Sequence, residues 1–309
     1  MPNSFNMPRF LKLIINIVVL SVLLLISVQV WAQDWRPVRG GIPFGISGMA
    51  LIKQQSNTLD FLIVHDNKKP NQTRLAIISI KGKNQPEYFP LKWPSNIELP
   101  IDLEALTSIP EKTKFSFIAL SSSGKAYFIR LNPANKTILV LKEFNLPEII
   151  QGNNFEGFGL QNIDGKLVAI WAHRGEGEQP ATIFWGVFDL AKYQITLAGS
   201  ANLKVPFPSG NVRHISDIKV DPLGIVYITS ANDAGDDGPF QSAVYVAGYL
   251  GLRDHKIVWQ QNSQLVPLYR SAYHKIEGME LVPGAEGGVI TATDDENFGS
   301  YIYMVGGSN

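Results

Sequence analysis

The 309-residue sequence is 45% hydrophobic and 10% aromatic, enough for one large packed domain or two ordinary ones and too apolar for a disordered chain. Lys plus Arg number 27 and Asp plus Glu number 27, which excludes the basic excess of a nucleic-acid binder and the acidic tail of a solvating segment. The absence of cysteine excludes disulfides, thiolate metal sites, a cysteine nucleophile and a lipid-modified N-terminal cysteine.

Residues 1–32 read as a signal peptide. Arg9 and Lys12 form a positive n-region, Leu13 to Ile26 a mostly apolar h-region, and Val30-Trp31-Ala32 a cleavage site after Ala32. The alternative is an uncleaved anchor, since Leu13 to Val30 could just span a bilayer. Both readings place residues 33–309 in the periplasm or outside the cell, as one domain, expected to be a monomer without a stable membrane span once the signal is removed.

After Ala32 the chain shows short runs rich in Val, Ile, Tyr and Phe, split by Gly, Pro, Asn and Asp, as in sandwiches, barrels and propellers. One pattern recurs: large apolar, Ser or Glu, usually a small residue, large apolar. It appears at Ile46-Ser47-Gly48-Met49, Leu103-Glu104-Ala105-Leu106, Phe155-Glu156-Gly157-Phe158, Ile215-Ser216-Asp217-Ile218 and Ile276-Glu277-Gly278-Met279. The intervals suit one four-stranded blade each. A β-sandwich would explain neither the spacing nor the repeated polar residue. The fold expected is all-β, a five-bladed β-propeller. Only three strands follow Ile276, so the last blade needs Trp35–Gly40 as its outer strand, which closes the ring.

First strands line a propeller's channel, so Ser47, Glu104, Glu156, Ser216 and Glu277 should form one layer around the axis. Three carboxylates in a narrow channel repel, and a divalent cation relieves them. An all-oxygen layer without Cys or His points to Ca²⁺, with Asp102 and Asp217 as further ligands or supports. The alternative is a hydrated channel, or Glu side chains bonded to backbone amides. Above the layer, loops carry Lys68, Lys69, Arg174 and Arg213, suited to a small phosphorylated molecule or another polyanion, and His173, His214 and His274, suited to proton transfer. Asn232 to Asp237 has the composition, without the spacing, of a cation-binding loop.

The segments Asp102-Leu103-Glu104-Ala105-Leu106, Phe155-Glu156-Gly157-Phe158 and Ile276-Glu277-Gly278-Met279-Glu280-Leu281 resemble the blade-opening motifs of extracellular phytase-like (esterase-like) propellers. The order Ser, Glu, Glu, Ser, Glu also resembles the calcium-activated nucleotidases (apyrases). That resemblance implies Ca²⁺ at Ser47, Glu104, Glu156, Ser216 and Glu277, with Asp102 contributing, and phosphoester or phosphoanhydride hydrolysis. Two other functions stay open. One is a non-catalytic propeller with structural Ca²⁺ that binds a polyanion, glycan or envelope protein; Trp93, Phe240 and Tyr273 suit its surface. The other is a glycosidase, which needs paired carboxylates across an open pocket.

Overall fold

A computed structural model of the protein describes residues 35–110, 114–284 and 287–305. The expected signal peptide, 1–32, lies outside the described residues. The described chain is built from antiparallel strands in five sheets. It opens with β1 (Arg36–Arg39). The first blade is β2 (Gly48–Gln55), β3 (Thr58–Val64), β4 (Leu75–Lys81) and β5 (Glu87–Leu91). The second is β6 (Leu103–Ser108), β7 (Ser116–Ser121), β8 (Lys125–Asn132) and β9 (Thr137–Asn145). The third is β10 (Phe155–Ile163), β11 (Lys166–His173), β12 (Ala181–Asp189) and β13 (Gln194–Leu203). The fourth holds β14 (Val212–Val220), β15 (Ile225–Asn232), β16 (Ser242–Arg253), β17 (Lys256–Gln261) and β18 (Pro267–Ser271). The fifth is β19 (Ile276–Val282), β20 (Gly288–Thr293) and β21 (Ser300–Val305), completed by β1.

The expected closure is present: β1 pairs antiparallel with β21, with Arg36 opposite Ile302 and Arg39 opposite Ser300. The first strands pack in a ring, β2 on β6, β6 on β10, β10 on β14, β14 on β19 and β19 on β2. Small residues permit that approach. A Cβ on Gly48 would lie 2.8 Å from the Leu106 backbone nitrogen, and one on Gly157 would lie 2.5 Å from the Ile218 side chain. The fourth blade departs from expectation by one strand. β16 is long enough to carry two outer partners, β17 on its second half and β18 on its first.

Each blade turns one apolar face to its neighbour, so the core is a set of interblade layers. Leu62 and Leu75 of the first blade meet Leu106 and Phe117 of the second. Leu120 of the second meets Phe158 and Trp171 of the third, and Ile170 and Ile183 meet Ile218 and Ile228 of the fourth. Val244 packs with Ile276 and Met279, and Ile290 and Ile302 pack with Met49 and Phe61. Each such aliphatic side chain, fully buried, contributes about 1.5–3 kcal/mol.

Candidate active site at the mouth of the channel

Four of the five repeated polar positions fall at register shifts, Ser216 within the one between Arg213 and Asp217. Glu104, Glu156 and Glu277 sit at register shifts between Leu103 and Ala105, Phe155 and Gly157, and Ile276 and Gly278. A bulge takes one residue out of the ladder and re-aims its side chain, a device common beside active sites. Because strands alternate in direction, the loops before each first strand and the loops joining second to third strands share one end. Ion pairs confirm this: Lys68 of the β3–β4 loop meets Asp102 before β6 at 2.9 Å, and Arg213 of β14 meets Asp233 beyond β15 at 2.8 Å.

The three glutamates do not share one environment. Glu156 accepts a hydrogen bond from Arg174 at 2.9 Å and lies 3.8 Å from Arg213. Glu277 accepts from Arg213 at 2.8 Å and faces Lys275 at 3.3 Å. Lys275 is buried and also pairs with Glu296, with Asp294 4.0 Å away. Burial opposes its charge, yet Glu277 and Asp294 outweigh burial and raise its pKa above the usual lysine value. Arg213 behaves likewise between Glu156 and Glu277. Burial pushes Glu156 up, against the pull of Arg213 and Arg174.

Glu104 instead joins Asp66 and Asp102, with one carboxylate oxygen of each lying within 4.8 Å of the others. Burial, then the charges of Glu156, Asp102 and Asp66, push Glu104 well above the usual carboxylate range. Burial, reinforced by Glu277 and Asp102, pushes Asp66 to about 6. Asp102 is held in the left-handed region at φ 63°, a conformation uncommon for a residue with a side chain. Its neighbours over-determine it. Its backbone N–H donates to Asn67, its carbonyl accepts from Ser122, and its carboxylate accepts from the Ser122 hydroxyl at 2.5 Å. Ser47 and Ser216, at the other two repeat positions, are buried, and neither hydroxyl has a hydrogen-bond partner among the described residues.

The acidic triplet is thus an all-oxygen donor set with no His or Cys, fit for Ca²⁺ or a similar hard cation. Of the expected ligands it contains Glu104 and Asp102. Glu156 and Glu277 are instead charge-paired to arginine and lysine. Asp217 is taken up elsewhere: its carboxylate accepts the backbone N–H of Ile218 at 2.7 Å and of Met279 at 2.8 Å, so it ties the fourth blade to the fifth. Of the expected phosphate binders, Lys68, Arg174 and Arg213 line the mouth. Lys69 is exposed in the β3–β4 loop, where its N–H and carbonyl are held by Gln72 and Arg74.

The three expected histidines differ in what their ring nitrogens meet. His214 accepts from Val205 N–H at 3.3 Å through Nδ1 and donates to the Gly177 carbonyl at 2.9 Å through Nε2, which leaves no nitrogen for proton transfer. His173 accepts the Asn154 N–H at Nδ1. His274 meets Asp295 at 2.5 Å through Nδ1 and packs at a tilt against the Trp35 and Tyr301 rings. Asp66, Lys275 and Asp294 are the site residues that the repeat did not reveal. Room for Asp294 comes from Gly45, where a Cβ would lie 2.1 Å from the Asp294 carboxylate oxygen.

Fold and site together define a five-bladed propeller with a charged well at one end of its channel. Among solved structures it is similar to the α-L-arabinofuranosidase PaAbf62A of Podospora anserina in complex with cellotriose, at 11% identity and TM-score 0.51, covering 88% of this chain and 96% of that one. It is also similar to an exo-1,5-α-L-arabinanase from a bovine ruminal metagenomic library, at 10% identity and TM-score 0.50, covering 87% and 94%. The exo-β-1,3-galactanase 1,3Gal43A of Clostridium thermocellum aligns at 11% identity and TM-score 0.49 over 84% of this chain, which spans 58% of the galactanase. At such identities the first two likenesses show the fold alone. No protein family matches the chain by sequence, and no curated protein does.

Proposed function

We propose that the protein is a Ca²⁺-dependent hydrolase of a small phosphorylated molecule, bound at the mouth of the channel. The observation that carries the reading is the adjacency of two charge sets. Asp66, Asp102 and Glu104 form a compact oxygen donor group, Lys68 pairs with Asp102 of that group, and Arg174 and Arg213 pair with the repeat glutamates Glu156 and Glu277. The triplet would hold the cation, and the Ser47 and Ser216 hydroxyls of the same repeat are buried without a hydrogen-bond partner among the described residues. When bound, the cation supplies charge neutralisation and polarisation of a phosphoryl oxygen. Arg174 and Arg213 are oriented in advance by Glu156 and Glu277, so little ordering remains when a phosphate arrives. Lys68, the most exposed of these cations, can leave Asp102 for a substrate oxygen.

A second reading is a non-catalytic propeller that binds the same anion. The observation favouring it is that both ring nitrogens of His214 are held by backbone groups, while Nδ1 of His173 is held by Asn154 and Nδ1 of His274 by Asp295. One experiment separates the two. Thermal unfolding with Ca²⁺, Mg²⁺ or chelator should show a Ca²⁺-specific rise in Tm that Glu104→Ala abolishes, and phosphate release from mono- and diesters should follow the same ion. Stabilisation without turnover would select the binding reading. Because the fold neighbours are named for cleaving arabinosides and galactan, aryl α-L-arabinofuranosides belong in the screen. Their cleavage in chelator would overturn the proposal.

A further inference from the structure

The basic side chains Lys68, Arg174, Arg213 and Lys275 at the mouth are not held alike. Arg174 pairs with Glu156 and Glu176, Arg213 with Glu156, Glu277 and Asp233, and Lys275 with Glu277, Asp294 and Glu296. Those three side chains are 17%, 16% and 2% exposed. Among the described residues Lys68 pairs with one carboxylate, Asp102, and its side chain is 64% exposed. The loop that carries Lys68 is fixed all the same. Gln72 Oε1 accepts the backbone N–H of Lys68 at 3.3 Å and of Lys69 at 2.8 Å. Asn67 Nδ2 donates to the Pro43 carbonyl at 2.9 Å and to the Thr73 carbonyl at 2.7 Å. Buried Arg74 donates to the carbonyls of Pro100, Lys69 and Gln72. Lys68 is therefore an exposed arm on a fixed mount, whereas the other three are built into the wall.

Asp102 is the member of the acidic triplet that Lys68 touches, and both of its carboxylate oxygens are engaged. Oδ2 accepts the Ser122 hydroxyl at 2.5 Å, and Oδ1, itself buried, meets the Lys68 ammonium at 2.9 Å. A hard cation binds carboxylate oxygens at about 2.3–2.6 Å. A carboxylate oxygen has lone pairs enough to accept a neutral hydroxyl and bind a cation together. An ammonium is different, because two positive charges would then stand a few ångströms apart in a partly buried place, where water and salt screen them poorly. The arm that yields is the exposed one, since an ion pair with so exposed a partner is weak. We propose that Lys68 is a competitor built into the chain: its ammonium and a divalent cation contend for Asp102, so Lys68 lowers the affinity of the triplet for metal and swings into solvent when metal binds. The inference rests on the cation reading given above. It also makes Lys68 the one of the four basic groups that metal binding releases from its carboxylate, and so the one opened to an anion.

Calorimetric titration of the whole protein with Ca²⁺ alone tests this, with thermal unfolding of each variant as the check on folding. Lys68→Met removes the ammonium from an exposed position and should bind Ca²⁺ about three- to fivefold more tightly than the parent, the effect of breaking one half-exposed ion pair. Lys69→Met removes the same charge from the exposed residue beside it and should change the affinity less than about twofold. Lys68→Arg keeps a competing cation and should bind no more tightly than the parent. In an Asp102→Asn background, Lys68→Met should do no more than Lys69→Met, because the pair is already broken. Asparagine tolerates the left-handed conformation of residue 102, so that background should fold. Equal tightening in Lys68→Met and Lys69→Met would reveal a diffuse charge effect and overturn the proposal while the cation reading stands. No tightening in Lys68→Met, with the parent binding Ca²⁺, would do the same. Binding by Lys68→Met and not by the parent would be the proposal in its strongest form. Absence of Ca²⁺ binding in both would remove the cation reading, and the competitor with it.

Discussion

His65 is fully enclosed, with Nδ1 2.5 Å from the Gly45 carbonyl and Nε2 3.1 Å from the Tyr88 hydroxyl. Burial pushes its pKa down to about 4. In the unfolded chain the same ring titrates near 6.5. Between those values the unfolded state takes up a proton that the folded state refuses. The contribution of His65 is therefore complete above 6.5 and is lost as pH falls toward about 4, by roughly 3 kcal/mol in total. Asp66 and Asp217, raised to about 6 and about 7, work in the opposite direction, because a folded state that holds extra protons loses stability as pH rises through those values. The His65 component is isolated by comparing the parent with His65→Gln in urea unfolding across that pH range. The stability difference should widen by roughly 3 kcal/mol from pH 4 to 6.5, and parallel curves would refute the assignment. At this scale the sequence was partly legible. Glu104, Glu156 and Glu277 repeat within a fixed local pattern and could be read in order. Asp66, Lys275 and Asp294 lie in loops of unequal length, where no period marks them. Their charges acquire meaning only from partners on other blades.

Between elements, the layer below the glutamates is held by buried charges that act as struts. Asp217 of β14 accepts the Met279 N–H of β19, and Glu280 of β19 accepts the Leu51 N–H of β2. Lys219 of β14 donates to the Leu106 carbonyl of β6 at 2.5 Å and lies 3.5 Å from Asp217. Asp217→Asn keeps the size of the side chain but turns one of two acceptors into a donor facing a backbone N–H. The expected loss is about 1–3 kcal/mol, the cost of leaving a buried polar group unpaired, measured by chemical denaturation. No loss would show that the strut carries little. The strand pattern was the most legible part of the fold, since Val-, Ile- and Phe-rich runs bounded by Gly and Asn marked nearly every strand. β18 escaped because it is short and begins at Pro267. Proline is tolerated at the first residue of an outer strand, although it reads locally as a break.

At the scale of the whole molecule, stability depends on the ring being closed. Five-fold repetition is legible in the order of residues alone, and so is the shortage of one strand in the last blade, because counting needs no tertiary detail. Removing the chain through Arg39 would take away β1 and the contacts of buried Val38, leaving β21 as an open edge. Tm should fall by roughly 5 °C, from the lost burial alone, and size-exclusion chromatography should show self-association through the edge. An unchanged monomer would mean that the other four blades suffice. The Lys219 side chain has one more consequence. It leaves the fourth blade and ends on a carbonyl of the second, so it reaches across the axis beneath the charged mouth. A single side chain thus straps together two blades that are not neighbours in the ring, and whatever passes that level of the axis must pass beside it.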